Sequence, residues 1–189
     1  NEFACEGKSI VSISSSGRYA AFSSSAFNLV ANDTNNLNDI FVRDRDTDTD
    51  GIFDEAGAAS TERVNVGGCA TQANLESLGP SISADGRYVT FGSQATNLVA
   101  NDTNASPDAF VRDRQTGVTQ RVSVGSSGTQ AHLGGGGSSI SSDGRFAVFA
   151  SQALDLVASD TNGFTDVFLR ELGDAPPQQS DCVAPTTTR

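Results

Sequence analysis

A segment that runs from Ser12 to Arg43 occurs three times in this chain of 189 residues. Each copy opens on Ser-Ile-Ser, passes through Gly-Arg-Tyr or Gly-Arg-Phe and then Asp-Thr-Asn, and closes on Asp-x-Phe-Val-Arg or Asp-x-Phe-Leu-Arg. The second and third copies begin at Ser81 and Ser139, so the two offsets are 69 and 58 residues. Chance does not produce such a match. The chain is therefore predicted to stack related supersecondary units that bury their apolar faces against one another.

Every copy predicts four short β-strands. A Ser-Gly or Asp-Gly pair separates the first two strands, because glycine supplies the positive φ that a tight hairpin needs. The Asp-Thr-Asn tripeptide suits an Asx-turn before the third strand. Apolar residues on both faces of the second and third strands fit sheets that are packed between neighbouring sheets. In the three copies the first strand is centred on Ile13, Ile82 or Ile140, and the second covers 19–23, 88–92 or 146–150. The third strand contains Phe41, Phe110 or Phe168. The fourth covers 61–66 in the first copy and 119–124 in the second.

Four-stranded units that repeat with Asp-Gly turns are typical of the blades of a β-propeller. The run Ser-x-Asp-Gly-Arg-Tyr/Phe, Asn-Leu-Val, Asp-Thr-Asn, Asp-x-Phe-Val-Arg-Asp-Arg and Arg-Val-Ser-Val resembles the WD40-like (PD40, TolB-type) propeller repeats of bacterial secreted and periplasmic proteins, over roughly residues 9 to 172. The resemblance implies an all-β fold and a bacterial exported setting. It implies no single activity, because such propellers serve mostly as binding platforms or accessory domains.

The third copy is predicted to be incomplete. Pro176 and Pro177 stand where Val118 and Thr119 open the fourth strand of the second copy, and proline cannot donate to a β-ladder. Closed propellers typically have four to eight blades, so we expect a fragment, one half of a dimer, or a subunit that stacks openly. The predicted division is a first blade with an insertion over 1–73, a second blade over 74–131, an incomplete third blade over 132–173 and a Pro/Thr-rich tail over 174–189.

An insertion of 11 residues between Asp44 and Val64 accounts for the difference between the two offsets. It contains Asp-Thr-Asp-Thr-Asp-Gly-Ile-Phe-Asp-Glu, in which alternate carboxylates followed by glycine let a tight loop direct hard oxygen ligands at one centre, as calcium prefers. The alternative is an acidic, solvated hairpin tip, whose unneutralised carboxylates would repel one another. The candidate ligands of a structural Ca²⁺ ion are the side chains of Asp46, Asp48 and Asp50, the carbonyl of Ile52, and Asp54 or Glu55.

Charge and hydropathy exclude two kinds of partner. The chain has 23 Asp and Glu against 12 Lys and Arg, so its formal net charge is −11. Because an acidic protein repels phosphate backbones and anionic lipid surfaces, we expect no nucleic acid partner. No apolar run approaches the roughly 18 residues of a spanning helix, so we expect no membrane insertion. Methionine is absent, and we expect a processed or excised piece from which any signal peptide has gone.

Cys5, Cys69 and Cys182 fit no metal-binding spacing. Three cysteines allow one disulfide with a spare thiol, or a bridge to another chain, and they favour an extracellular setting. Two pairings stay open: a bridge between Cys5 and Cys69 within the first blade, and the approach of Cys182 to Cys5 of the next copy at a head-to-tail junction. The candidate glycosylation sites are Asn32 and Asn101 in Asn-Asp-Thr sequons, and Thr186, Thr187 and Thr188 beside a proline.

The Asp-Thr-Asn loop and an Asp/Arg pair on the third strand recur in every copy. A catalytic site needs one constellation, whereas a repeated polar pair more often satisfies turns and inter-blade hydrogen bonds. We therefore expect structural roles for these residues. The Gly134–Gly137 run lacks the Lys and Ser/Thr of a phosphate loop, and it is predicted to be a linker. The recurring pairs are Asp39 with Arg43, Asp108 with Arg112, and Asp166 with Arg170.

No catalytic set can be nominated from this sequence, whose single histidine is His132. We expect a protein that is not an enzyme: an extracellular, calcium-stabilised propeller-repeat protein that acts as a binding or assembly scaffold. The alternatives are a self-assembling subunit of a surface fibre with head-to-tail contacts, and an accessory propeller domain of a larger secreted enzyme. The expected partners are other copies, further blades, or a protein or carbohydrate ligand. The expected location is outside the cell, at its surface or in the periplasm.

Overall fold

The computed structural model describes residues 11–173, which form eleven β-strands and one short 3-10 turn at Gly68–Ala70. The strands build three antiparallel sheets of four, four and three strands, in which neighbours in the chain pair. The predicted all-β fold of propeller-type blades is confirmed, and the third sheet has three strands within residues 11–173. The first blade contains β1 (Val11–Ile13), β2 (Tyr19–Ser24), β3 (Asp39–Asp44) and β4 (Ser60–Arg63); the second contains β5 (Ser77–Ile82), β6 (Tyr88–Ser93), β7 (Asp108–Asp113) and β8 (Val118–Arg121); the third contains β9 (Gly136–Ile140), β10 (Phe146–Ser151) and β11 (Asp166–Glu171).

A serine and a glycine shape the first hairpin of every blade. In the first blade the Ser14 hydroxyl accepts the N–H of Tyr19 at 3.0 Å, and Gly17 has a φ of 75°. That left-handed backbone favours glycine, because a Cβ in this conformation costs roughly 1–2 kcal/mol. The same contacts recur at Ser83 with Gly86 and at Ser141 with Gly144. The repeated Ser and Gly of the sequence therefore encode one turn three times.

Apolar side chains fill the two spaces between the three sheets. In the first space, Ile40 and Val42 of β3 lie in one cluster with Val89 and Phe91 of β6, and each of the four is at most 1% exposed. The first strand of each later blade, β5 or β9, packs against the strands of the blade before it. The second space is filled by a cluster that includes Val111, Val122, Ile140, Ala147 and Phe149.

The place of a sheet in the stack decides how much of it is buried. In the middle blade β6 buries five of its six residues, whereas its counterpart β2 in the first blade buries one. On β11, Val167 and Leu169 are 76% and 68% exposed. The equivalent residues of the second blade, Ala109 and Val111, are buried in the cluster shared with the third blade. The outer face of the third blade therefore repeats a blade-packing surface that no described residue covers.

An aromatic ring from each blade packs on the turn glycine of the next blade. A Cβ added to Gly86 would lie 2.1 Å from the Tyr19 ring. A Cβ added to Gly144 would lie 2.4 Å from the Tyr88 ring. The Arg114 guanidinium of the second blade covers Tyr19 at 4.8 Å from its centroid, which is a cation–π contact. The Gly-Arg-Tyr motif thus serves packing between blades as well as the hairpin turn.

The fourth strands end sooner than the sequence predicted. β4 and β8 stop three residues before Val66 and Val124. Beyond β4, the Asn65 side chain turns back toward β3, and its Oδ1 accepts the N–H of Ile40 at 2.9 Å. A side chain thereby takes the place of a backbone acceptor and ends the regular ladder. Local side-chain competition of this kind is not visible in the alternation of apolar residues.

The Gly134–Gly137 run is not a linker, contrary to the prediction. Its last two residues begin β9. Gly135 donates its N–H to the carbonyl oxygen of Pro107 at 2.7 Å, and a Cβ added to Gly134 would lie 2.1 Å from that oxygen. These glycines therefore allow the third blade to approach the backbone of the second, a role that glycine within strands often has.

Replacing Gly86 by alanine tests this packing between blades. The added methyl would overlap the Tyr19 ring and would also have to adopt a φ of 75°. We expect the free energy of unfolding in urea to fall by about 2–4 kcal/mol, the sum of left-handed strain and overpacking. Gly128→Ala is the control, because Gly128 has a φ of 81° and no atom within 4 Å of its added Cβ. Its loss should be about 1 kcal/mol. Equal losses would contradict a packing role for Gly86.

Candidate metal site and repeated polar networks

Three carboxylates of the insertion converge on one point. Oxygens of Asp46, Asp48 and Asp50 lie within 4.8 Å of one another. Within residues 11–173 this is the one group of three or more His, Cys, Asp or Glu side chains with the spacing of a metal site. Asp46 is 5% exposed, and the other two are exposed to solvent. The three predicted side-chain ligands are therefore brought together, with one anchored inside the protein and two at its surface.

The loop backbone is organised around the Asp46 carboxylate. Its two oxygens accept the N–H groups of Asp50 and Gly51, each at 3.1 Å. Asp50 in turn accepts the N–H of Ile52 at 2.8 Å. Gly51 has a φ of 88°, which closes the turn and explains the glycine after the third aspartate. The Asp-x-Asp-x-Asp-Gly spacing thus places alternate carboxylates around a tight turn.

The two candidates for the last ligand, Asp54 and Glu55, have different surroundings. Glu55 lies beside the cluster, and the negative charge of Asp50, followed by desolvation and the charges of the other two aspartates, raises the pKa of Glu55. Asp54 faces away toward two arginines, with Arg45 Nε at 2.8 Å and Arg43 Nε at 3.7 Å. Glu55 therefore feels the charges of the three aspartates without belonging to their group, while Asp54 is paired with arginine.

The donor atoms of this cluster suit a hard cation. Four neighbouring carboxylates offer only oxygen, which is the ligand type of calcium, and the group contains neither the thiolate nor the imidazole typical of structural zinc sites. The negative charges of the aspartates raise the pKa of Glu55 because the carboxylates repel one another. A bound divalent cation would offset this repulsion. Calcium takes six to eight oxygen ligands, so backbone carbonyls and water would have to complete its shell.

A second polar group lies buried in the first blade, around Asp39. This carboxylate is fully buried, and it accepts hydrogen bonds from Asn65 at 2.6 Å and from Gln72 at 3.1 Å. Arg63 Nη1 lies 3.4 Å from Asp39 and 3.5 Å from Asp33, so one guanidinium bridges two carboxylates. Gln72 belongs to the segment that leads into the second blade. The network therefore fastens the first blade to the connection that follows it.

The second blade repeats this network with few changes. Arg121 Nη1 lies 3.3 Å from both Asp102 and Asp108. Gln130 donates to Asp102 at 2.9 Å and to Asp108 at 3.3 Å. Ser123 donates to Asp108 where Asn65 donates in the first blade. Burial is the largest influence on Asp108, and it raises the pKa of that carboxyl. Since the same contacts form twice, they are features of the repeat and not a single reactive centre.

In the third blade the corresponding aspartate, Asp166, is only partly buried and accepts one hydrogen bond from a side chain of its own loop, that of Asn162, at 3.2 Å. No arginine or glutamine of residues 11–173 takes the places that Arg63 and Gln72 hold in the first blade. The third network is thus the least complete of the three in the described part of the chain.

In the first two blades the recurring aspartates Asp39 and Asp108 are bonded within the protein, but the arginines that contact them are not the predicted ones. Asp39 pairs with Arg63 on β4 and not with Arg43, whose side chain donates to Thr61 at 3.3 Å. The second blade shows the same change of partner. The predicted pair lies four residues apart on one strand, whereas the partner comes from the neighbouring strand. A signal was present, because Arg63 and Gln72 recur 58 residues later as Arg121 and Gln130.

The remaining predicted sites lie apart from these clusters. Asn32 and Asn101 are exposed, and each carbonyl accepts a hydrogen bond from the bridging arginine of its blade. Cys69 is disulfide-bonded. His132 contacts Asp155 through Nδ1 at 2.9 Å at the surface. Cys5, Cys182, Thr186, Thr187 and Thr188 lie outside the described residues. Glycosylation and the choice of disulfide pairing stay predictions.

Solved structures of TolB are similar to this chain in fold. TolB from Acinetobacter baumannii superposes with a TM-score of 0.46 and 16% identity, over 88% of this chain and 30% of that one. A protein assigned as TolB from Agrobacterium tumefaciens gives a TM-score of 0.48 and 18% identity, over 86% of this chain and 42% of that one. The chain thus spans less than half the length of either structure. No family model and no curated protein matches the chain, so the assignment to PD40 or WD40 repeats stays a prediction.

Among the described residues there is no helix of the length and apolar character needed to cross a membrane.

Removing the central carboxylate of a network tests its structural role. Asp39→Ala would leave the buried Arg63 and Asn65 without their shared acceptor, so we expect the free energy of unfolding to fall by about 3 kcal/mol or more. Asp166→Ala is the matched control, because it removes the equivalent carboxylate of the third blade, which accepts a hydrogen bond from only one described side chain. Its effect should stay below about 1 kcal/mol. Urea unfolding curves give both values, and similar losses in the two variants would contradict the assignment.

Proposed function

We propose that this chain is a non-enzymatic propeller-repeat scaffold, stabilised by one structural calcium ion, that binds a protein or carbohydrate ligand or further blades. The observation that supports this most is how the recurring polar side chains are used. In both four-stranded blades they are buried and bonded to one another, as Asp39 and Asp108 are, and are not gathered around an open cleft. A repeat whose polar groups are engaged internally is suited to holding a shape.

The outer face of the third blade, defined by Phe164, Val167 and Leu169, is the binding surface that this scaffold would offer. These residues are 74%, 76% and 68% exposed. A cluster of exposed apolar side chains, beside polar residues such as Asp160 and Asp166, is typical of an interaction site. The equivalent face of the second blade packs against another β-sheet. We therefore favour a partner that presents a flat β-surface.

The two alternative functions of this chain would use the same outer face. A self-assembling subunit would place it against the first blade of another copy, and an accessory domain would place it against another part of a larger secreted enzyme. The native mass in solution, measured by light scattering, separates these functions. A mass near that of one chain favours a ligand-binding module or an accessory domain, whereas a mass that rises with protein concentration favours self-assembly.

The proposed calcium ion would be held by Asp46, Asp48 and Asp50, with Glu55 and the carbonyl of Ile52 completing the protein ligands. The convergence of the three aspartates within 4.8 Å supports this assignment. The ion would order the insertion and would carry no chemistry. The disulfide at Cys69 supports an extracellular or periplasmic location, because such bonds persist in oxidising compartments.

Calcium binding is tested by calorimetric titration and by urea unfolding. We expect a dissociation constant of about 0.1–1 mM, the range of extracellular calcium modules. At a calcium concentration 100-fold above that constant, the free energy of unfolding should rise by about 2.7 kcal/mol. Replacing Asp46, Asp48 and Asp50 together by asparagine should abolish both effects.

Asp54→Asn is the control within the same loop. Because Asp54 pairs with Arg45 and lies outside the cluster, this variant should bind calcium with a constant within about threefold of the native one. Absence of calcium binding by the native chain would refute the proposal. Loss of binding in Asp54→Asn, with binding kept in the triple variant, would show that the ligands are assigned wrongly.

A further inference from the structure

The second blade has a socket that receives two side chains of the first blade. The Tyr19 ring packs on Gly86, and Arg114 covers that ring at 4.8 Å from its centroid. Arg114 also donates from Nη1 to the Gly86 carbonyl and from Nε to Glu62 of the first blade. One arginine and one glycine of the second blade thus hold an aromatic ring and a carboxylate that come from the preceding blade.

The first blade has the same socket, formed by Gly17 and Arg45. Arg45 donates from Nη1 to the Gly17 carbonyl at 2.9 Å, as Arg114 does to Gly86. The backbone N–H of Arg45 donates to the Arg18 carbonyl at 3.0 Å, and that of Arg114 donates to the Arg87 carbonyl at 2.9 Å. This socket therefore has the geometry of one that receives a blade.

Side chains of the insertion fill the socket of the first blade. Arg45 covers the Phe53 ring at 4.8 Å from its centroid, the same distance that separates Arg114 from Tyr19. A Cβ added to Gly17 would lie 3.5 Å from the Phe53 ring. Arg45 Nε donates to Asp54 at 2.8 Å, as Arg114 Nε donates to Glu62. Phe53 and Asp54 therefore reproduce, from within the first blade, the ring and the carboxylate that a preceding blade supplies.

We propose that the insertion is an end cap, in which Phe53 and Asp54 block the docking of another blade on the first one. The blade that the cap excludes is the third blade of a second copy, with Phe146 as the ring that would enter the socket. Phe146 is the repeat counterpart of Tyr19 and Tyr88, and Arg145 covers it at 5.1 Å, as Arg18 covers Tyr19 at 4.9 Å.

The exposed surfaces that would meet at the proposed contact between two copies correspond to surfaces that are buried between blades within the chain. Ile13 on β1 is 60% exposed, while its counterparts Ile82 and Ile140 are 7% and 9% exposed where blades meet. On the other side of the proposed junction stand the exposed Val167 and Leu169 of β11. The proposed contact between copies therefore continues a packing pattern that occurs twice within the chain. Its first test leaves the three aspartates of the metal site unchanged, so failure of one proposal does not imply failure of the other.

The experiment compares native mass by light scattering over a range of protein concentrations. The double substitution Phe53→Ala with Asp54→Ala opens the socket, and we expect its mass to rise with concentration to at least twice that of the native chain. Adding Phe146→Ala should return the mass to the native value. Thr47→Ala is the control, because Thr47 is an exposed residue of the same insertion and makes none of the socket contacts, so its mass should equal that of the native chain.

A second variant removes the cap without leaving a cavity. Residues 46–59 are replaced by Gln-Thr-Gly, the turn that follows Arg114 in the second blade, and we expect the same rise in mass. Circular dichroism and urea unfolding confirm that each variant keeps its sheets. An unchanged mass in the folded variants would overturn the proposal, as would association that persists after Phe146→Ala. If both variants unfold, the insertion is needed for the fold of the first blade, and its role as a cap is refuted.

Discussion

The packing of a tyrosine ring on a bare glycine of the next blade is the contact on which the arrangement of these sheets depends. At Gly86 and Gly144 a side chain would occupy the space of Tyr19 or Tyr88. The same glycines adopt a positive φ that closes a hairpin, so one residue type meets two demands at once. Turn geometry and blade packing are therefore coupled, and a blade that folds correctly presents the next socket ready formed.

Buried polar networks complete this arrangement by fixing the connections between blades. An arginine between two carboxylates, with a glutamine from the following segment, ties the loop after the second strand to the start of the next blade. Such groups are costly to bury unless every partner is present. Their main effect is therefore to favour one arrangement of the blades, and their contribution to stability is smaller. The middle blade, with neighbours on both faces, is accordingly the most buried sheet, while the first and third each leave one face open.

The sequence allowed the strands and turns of residues 11–173 to be predicted, because these follow from local residue patterns that occur three times. It also placed Asp46, Asp48 and Asp50 together, since spacing within one loop fixes their approach. It did not identify Arg63 as the partner of Asp39, because that contact joins different strands. The aromatic residue of the insertion went unnoticed because its meaning depends on a socket assembled from Gly17 and Arg45, which are far apart in the chain. The prediction of a linker at Gly134–Gly137 is wrong because composition alone does not distinguish a flexible linker from backbone in close contact.

Native-state hydrogen exchange followed by mass spectrometry tests most directly whether contacts between blades hold this fold. The account predicts that amides of β6 and β7 exchange most slowly, since that sheet is covered on both faces, and that amides of β10 and β11 exchange faster because one face is open. Equal protection of all three sheets, or faster exchange in the middle blade than in the third, would show that each sheet is stable by itself. That result would contradict the central role of packing between blades.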